Sequence, residues 1–212
     1  KILTMVGAEV TGYSLPAPTE PSLFAISGVE KDMASVIGDV RDFPAVKAAF
    51  DAAQPEIVLH LAAQPIVRES YKNPAYTYET NVMGTVNILE CVRQSSCAKS
   101  VLNVTTDKVY HNNEWGWGYR ENEPLDGFDP YSNSKSCSEL VTDCVRAVQA
   151  DKSIGVRNPH STRPYQHVLE PLFAYLMIAQ RQYEDGRLAG WYNVGPDDCD
   201  CVTTGELVEL FK

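Results

Sequence analysis

Basic residues are scarce in this sequence: 18 Lys and Arg stand against 28 Asp and Glu in 212 residues, for a formal net charge of −10. Those that exist are scattered, which argues against non-specific binding to nucleic acid or to an anionic membrane surface. No apolar run reaches the roughly 18 residues that a membrane-spanning helix needs. No stretch has the zones of a secretory signal either. Cysteine is present without pattern: the six, at positions 91, 97, 137, 144, 199 and 201, include no C-x-x-C pair. Cys199 and Cys201 also lack a His or Cys partner at metal-ligand spacing, so zinc and dithiol motifs are excluded. Reduced thiols in a cytoplasmic protein are the expectation. Repeats and low-complexity tracts are missing too. What remains is 44% hydrophobic and 22% charged, ordinary for a globular fold with a real core.

The apolar pattern alternates between two periods. Lys1 to Val6 reads as the end of a helix closed by Gly7, and Ala8 to Ser14 as a strand. Prolines make Leu15 to Leu23 a loop, and Ala34 to Val40 is a short apolar strand. Asp42 then caps a helix in which Phe43, Val46, Phe50 and Ala53 recur at helical spacing before Pro55. Glu56 to Ala63 is a nearly continuous apolar run, the kind expected of a strand covered on both faces. Asn73-Pro74 opens a helix whose apolar face is Tyr78, Val82, Thr85, Val86, Leu89 and Val92, and Ser100 to Thr106 is another buried strand. Such alternation predicts an α/β fold, a doubly wound parallel sheet with helices on both sides. Further on, Pro171 to Tyr183 reads as a helix, Trp191 to Val194 as a strand, and Thr203-x-x-Glu206 as a capping box.

In parallel sheets ligands collect beyond the carboxyl ends of the strands, and here those ends carry chemistry. Asp39 suits either an adenine edge, with Val40 packed on the ring, or a turn. Ala62 and Ala63 are small enough for a flat cofactor to approach the backbone, or for plain helix packing. Thr105-Thr106-Asp107-Lys108 offers a carboxyl and an amine side by side, as an elimination requires, or a solvated turn. Asn81, on the apolar side of its helix, must be hydrogen-bonded and so braces the sheet or orients a neighbouring helix. Asp129 is a good N-cap and Pro130 a good first helical residue, which places Tyr131 and Lys135 one turn apart on one face. A lysine ammonium beside a phenol lowers a pKa that is about 10 in water, giving a proton acceptor near neutrality; the plain alternative is a surface pair. Arg157-Asn158-Pro159-His160 and Arg163 to Val168 form a basic, aromatic loop suited to a pyrophosphate and a base or sugar, or to ordinary surface ion pairs.

Taken in order, Gly38 to Asp42, Leu61 to Gln64, Asn81 to Thr85, Thr106 to Lys108 and Tyr131-x-x-x-Lys135 resemble the extended short-chain dehydrogenase/reductase superfamily. Trp115 to Pro124 and Arg163 to Pro171 resemble the CDP-sugar branch of its nucleotide-sugar 4,6-dehydratases. The resemblance implies a Rossmann-like domain over 1–147, a smaller substrate-binding portion over 148–212, NAD as cofactor, CDP-glucose as substrate, and a homodimer or higher homo-oligomer in dideoxysugar biosynthesis. It implies no metal. Cofactor contacts would come from Ser14, Asp39, Val40, Leu61, Ala62, Ala63, Thr80, Thr105, Tyr131 and Lys135. Substrate contacts would come from Gln64, Arg68, Arg157, Arg163, Tyr165 and His167, with Tyr165 standing where this branch usually has Trp.

The implied reaction is an internal redox dehydration. Tyr131, supported by Lys135, takes the C4 hydroxyl proton; Thr106 binds the C4 oxygen; Asp107 protonates the departing C6 hydroxyl. Lys108 stands where dTDP-sugar relatives carry Glu, and would act as the C5 base only if burial or neighbouring cations held it neutral. The family's Gly-rich turn is expected before Lys1, and further segments around Cys144 to Val148 and after Lys212, so the sequence reads as part of a longer chain. A 4-epimerase on the same scaffold and a non-catalytic NAD-binding protein are the rival readings. Asp107 and Lys108 favour elimination over epimerisation, and the joint presence of Thr106, Asp107, Tyr131 and Lys135 favours an enzyme over a scaffold.

Overall fold

The computed structural model describes residues 1–148, 153–155 and 168–196. In chain order α1 (Ile2–Met5) leads to β1 (Thr11–Ser14), α2 (Leu23–Ser27), β2 (Ala34–Ile37), α3 (Phe43–Ala53) and β3 (Ile57–His60). Then come α4 (Val67–Lys72), α5 (Pro74–Tyr78), a π-helical turn (Glu79–Met83), α6 (Gly84–Gln94) and β4 (Ser100–Asn103). The described chain ends with α7 (Pro130–Val148), β5 (Ser153–Gly155) and α8 (Leu169–Glu184). Among the described residues these strands pair in parallel: β1 with β2, and β3 with β4 and β4 with β5 in a second group. The expected α/β architecture is present, with strands shorter than the apolar runs that contain them.

Local chemistry explains most boundaries. Gly7 sits at φ +88 just past α1, a conformation that favours glycine. Asp42 accepts a 3.2 Å hydrogen bond from the Ala45 amide at the start of α3, and Asn73 does the same for Tyr76 at the start of α5. Two helices lie where the sequence suggested none. Ser22 caps α2 through the Ala25 amide at 3.2 Å, and Gly28 ends it, but five residues are too few to show a period. Polar α4 shows no apolar stripe. The helix expected from Asn73 is interrupted by the π turn, which changes the facing of Thr80 and Asn81. Trp191 to Val194 is not a strand; Asn193 occupies a single bridge position, with its backbone amide on Glu121 Oε1 at 3.0 Å. The capping box at Thr203 lies outside the described residues.

Val46, Phe50, Leu89, Cys91, Val92, Ala98 and Val101 form the main core, between α3, α6 and the sheet. Each large side chain of this kind contributes about 1.5–3 kcal/mol by burial. A smaller cluster of Val109, Tyr110 and Tyr119 anchors the loop between β4 and α7. Its rings stack, Tyr110 on Tyr119 at 5.5 Å and Trp115 on Trp117 at 5.1 Å between centroids. Among the described residues no helix is long and apolar enough to cross a membrane.

The inner face of α7 is polar yet buried: Ser134, Lys135, Ser138 and Glu139 are all at most 3% exposed. Buried polar groups need partners, and here they have them. Ser138 Oγ meets Thr85 Oγ1 at 2.9 Å and accepts from Asn103 Nδ2 at 3.0 Å, while Thr85 Oγ1 also meets His60 Nε2 at 3.1 Å. Asn81 ties three elements together. Its Oδ1 accepts from the Gln64 amide at 2.7 Å, and its Nδ2 donates to the Gln64 carbonyl at 3.2 Å and to Ser134 Oγ at 2.9 Å. Replacing Asn81 by Ala leaves the Gln64 amide and carbonyl without this partner in a fully buried site. Asn81→Ala is therefore expected to lower the unfolding free energy by about 2–4 kcal/mol, read as a lower urea midpoint; a shift worth under about 0.5 kcal/mol would show that the bonds are replaceable.

Candidate active site

Tyr131 and Lys135 are placed by the start of α7. Asp129 Oδ1 accepts from the Ser132 amide at 3.0 Å and Oδ2 from Ser132 Oγ at 2.6 Å, so the expected N-cap forms. Lys135 is 2% exposed, and its Nζ donates to the Val104 carbonyl at 3.0 Å. Burial lowers its pKa from 10.5 to about 8, with the Glu139 carboxylate opposing that fall. His60, from the end of β3, is held neutral: burial, then the Lys135 charge, push it down to about 3.

The expected phenolate is not what the fold favours. Burial raises the Tyr131 phenol above the ordinary tyrosine value, a hydrogen bond with Thr106 works the other way, and the Asp107 and Asp129 carboxylates raise it again. The ammonium of Lys135 is directed at a backbone carbonyl, which is why the sequence-based argument from charge alone points in the wrong direction. Thr106 in turn donates from Oγ1 to Asp107 Oδ1 at 2.9 Å. Thr106 and Asp107 thus form a hydrogen-bonded pair, and both act on the Tyr131 phenol. Lys108 lies on the following turn and is exposed.

Other expected contacts divide by what the fold has done with them. Gln64 is 6% exposed, and its side-chain amide is used internally. Oε1 accepts from the Ile66 amide at 2.7 Å, and Nε2 donates to Thr77 Oγ1 at 2.9 Å and to the Ile66 carbonyl at 3.2 Å. It braces the loop after β3 rather than reaching a ligand. Asp39 likewise serves its turn: Arg41 engages both carboxylate oxygens, at 3.1 and 2.7 Å, and its hydrogen bonds hold the carboxyl below the usual range. Val40, expected as a ring platform, is 8% exposed and packs where a Cβ on Gly84 would come within 2.8 Å of it. Thr105 Oγ1 donates to Glu139 Oε1 at 2.6 Å.

Leu61 is exposed, while Ala62 and Ala63 are half-buried past the end of β3. Thr80 Oγ1 is buried without a hydrogen-bond partner among the described residues. Ser14, at the end of β1, donates to the Leu15 carbonyl at 3.0 Å. Arg68 is exposed on α4. Arg157, Arg163, Tyr165 and His167 lie outside the described residues. Glu139 was missed from sequence, although its place one turn past Lys135 was a usable signal.

The ionisation of Lys135 has a measurable consequence. Its pKa in the fold, about 8, lies below the unfolded 10.5, so between these values the unfolded chain binds more protons and stability rises with pH. Relative to Lys135→Met, the protein should gain up to about 3 kcal/mol on going from pH 8 to 10.5, measured by urea denaturation across that range; a difference that stays flat would mean the ammonium is not buried.

Comparison with known proteins sets these features in a family. The family described as GDP-mannose 4,6 dehydratase matches residues 22–185. CDP-glucose 4,6-dehydratase of Salmonella typhimurium is 44% identical over 98% of this chain, which covers 69% of that protein. Among solved structures, UDP-glucose-4-epimerase from Stenotrophomonas maltophila with bound NAD superposes with a TM-score of 0.77 at 19% identity, over 91% of this chain and 72% of that one. A double mutant of DesIV, the dTDP-glucose 4,6-dehydratase of Streptomyces venezuelae, gives 0.60 at 29% identity, over 80% and 52%. The fold is the Rossmann-like one of these enzymes, and the chain belongs to the GDP-mannose 4,6-dehydratase family.

Proposed function

We propose that this protein is an NAD-dependent CDP-glucose 4,6-dehydratase, converting CDP-D-glucose to CDP-4-keto-6-deoxy-D-glucose and water. The observation that carries the reading is Tyr131 beside the hydrogen-bonded pair Thr106 and Asp107, with a buried lysine one turn on. The 44% identity to the Salmonella enzyme supports the nucleotide. A dinucleotide fits the residues present. Thr80 keeps a buried hydroxyl without a partner among the described residues, Ala62 and Ala63 leave the strand end low, and Ser14, Leu61, Thr105, Tyr131 and Lys135 complete the proposed contacts. When bound, NAD supplies a hydride acceptor for C4 and a hydride donor for C6.

The chain's own residues move the protons. Tyr131, in its phenolate form, takes the C4 hydroxyl proton, and the Thr106 hydroxyl, whose influence favours that form, is assigned to the C4 oxygen. Asp107, in its protonated form, releases the C6 hydroxyl as water. The C4 ketone acidifies the C5 hydrogen. Lys108, next to Asp107, is assigned as the acceptor of the C5 proton. Arg68, Arg157, Arg163, Tyr165 and His167 are assigned to the nucleotide and sugar. The active form is a cytoplasmic homodimer or higher homo-oligomer; Met83 and Leu140 are half-exposed on helix surfaces and suit such a contact.

Incubation with CDP-glucose and NAD should give the alkaline absorbance of a 4-keto sugar; a signal from dTDP-glucose alone would overturn the nucleotide, and epimerised product without a keto sugar would overturn the reaction class. Tyr131→Phe should lower kcat by about 10²–10⁴-fold and leave CDP-glucose affinity within a few-fold, measured by calorimetry alongside the assay. Loss of binding equal to the loss of turnover would argue against its role as proton acceptor.

A further inference from the structure

Tyr131, Lys135 and Glu139 lie one turn apart on the inner face of α7, and each meets a successive residue leaving β4. Lys135 Nζ bonds the Val104 carbonyl at 3.0 Å, Glu139 Oε1 accepts from Thr105 Oγ1 at 2.6 Å, and the Thr106 side chain acts on the Tyr131 phenol. Glu139 is 3% exposed. A carboxylate so buried is not tolerated without a positive partner and hydrogen bonds. The spacing from Lys135 is that of facing side chains on a helix, and the Thr105 bond has the shortness of a charge-assisted one.

We propose that Glu139 is a positioning residue for proton transfer: it holds the Lys135 ammonium charged inside the fold and, through Thr105, holds the Thr106–Asp107 turn against Tyr131. The inference rests on the reading of Tyr131 and Lys135 as the proton-transfer pair. Packing alone does not account for an acid here, since an apolar residue of similar size fills such a position at no greater cost. What a carboxylate adds is charge. Among the described residues the charged and titratable groups around this point include His60 from β3, Asp107 from the turn after β4, and Tyr131 and Asp129 from the start of α7. His60 is held neutral, and Asp107 and Asp129 act on Tyr131. The acid acting on Lys135 is Glu139, and it raises a lysine that burial lowers.

Two substitutions separate the charge from the contact. Glu139→Gln keeps the size and an oxygen for Thr105 but removes the charge; Glu139→Asp keeps the charge and withdraws it from Thr105. In Glu139→Gln the alkaline limb of the kcat profile should move down by about one pH unit, with KM for CDP-glucose within two-fold. In Glu139→Asp the limb should stay in place while kcat falls several-fold. The rise of stability with pH, measured against Lys135→Met, should begin about one unit lower in Glu139→Gln. This measurement needs no turnover, so it stands or falls apart from the CDP-glucose assignment. An alkaline limb and a stability profile both unmoved in Glu139→Gln would overturn the proposal. If Glu139→Gln does not fold, Thr105→Val and Thr105→Ser serve instead: Val should lower kcat about ten-fold with KM unchanged and Ser should restore it, whereas equal activity in the two would reduce Glu139 to a packing residue.

Discussion

The site depends on how α7 is laced to the end of β4. Residues 104, 105 and 106 are consecutive, and the side chains that meet them, from positions 135, 139 and 131, stand one turn apart along a helix. An extended segment and a helix match in this way in one register only. Sliding α7 by a residue would strand a buried ammonium, a buried carboxylate and a phenol at once, each costing more than an ordinary hydrogen bond returns. The register is set from the other end as well. A Cβ on Gly127 would fall 2.3 Å from the Ser132 carbonyl carbon, so the approach to the helix tolerates only glycine where the Asp129 cap begins.

A polar seam continues this lacing away from the reacting end. Thr85, Ser138, Asn103 and Thr142 pass hydrogen bonds from one to the next, with His60 at one side, and Asn81 joins the loop after β3 to Ser134. Such networks add less to stability than apolar packing of the same volume, but when satisfied they fix one arrangement. Proton transfer between positioned side chains requires such an arrangement, because it fails when the hydrogen bonds lengthen. The apolar core between α3, α6 and the sheet supplies the stability that lets the α7 interface be polar.

What could be read from the sequence is what depends on neighbours along the chain. Asp42 and Asn73 as caps, the strand cores, the helix carrying Tyr131 and Lys135, and the polar residues at the end of β4 are all local patterns. The ionisation of Tyr131 was not local. Its direction is decided by burial and by Asp107 and Asp129, and only the fold reveals that Lys135 is turned toward Val104. Gln64 is also a tertiary case, since its partner Thr77 lies on α5, thirteen residues on. Asp39 is different: Arg41 stands two residues away, and the turn was one of the two readings the sequence left open. The π turn and the short helices α2 and α4 left no period to find.

The raised phenol and the lowered lysine are one effect of burial acting on opposite charges. In water, a tyrosine and a lysine of ordinary pKa would both be protonated at neutrality, the first neutral and the second charged. Burial keeps the tyrosine neutral and brings the lysine near the edge of losing its proton, at about 8. An ion pair between them is therefore not the resting state. The Thr106 hydroxyl has one proton: given to Tyr131 it favours the phenolate, and in the structure it goes to Asp107 at 2.9 Å. The residues proposed as base at C4 and acid at C6 therefore compete for one hydroxyl, and the adjacency of Thr106 and Asp107 in the sequence is what couples them.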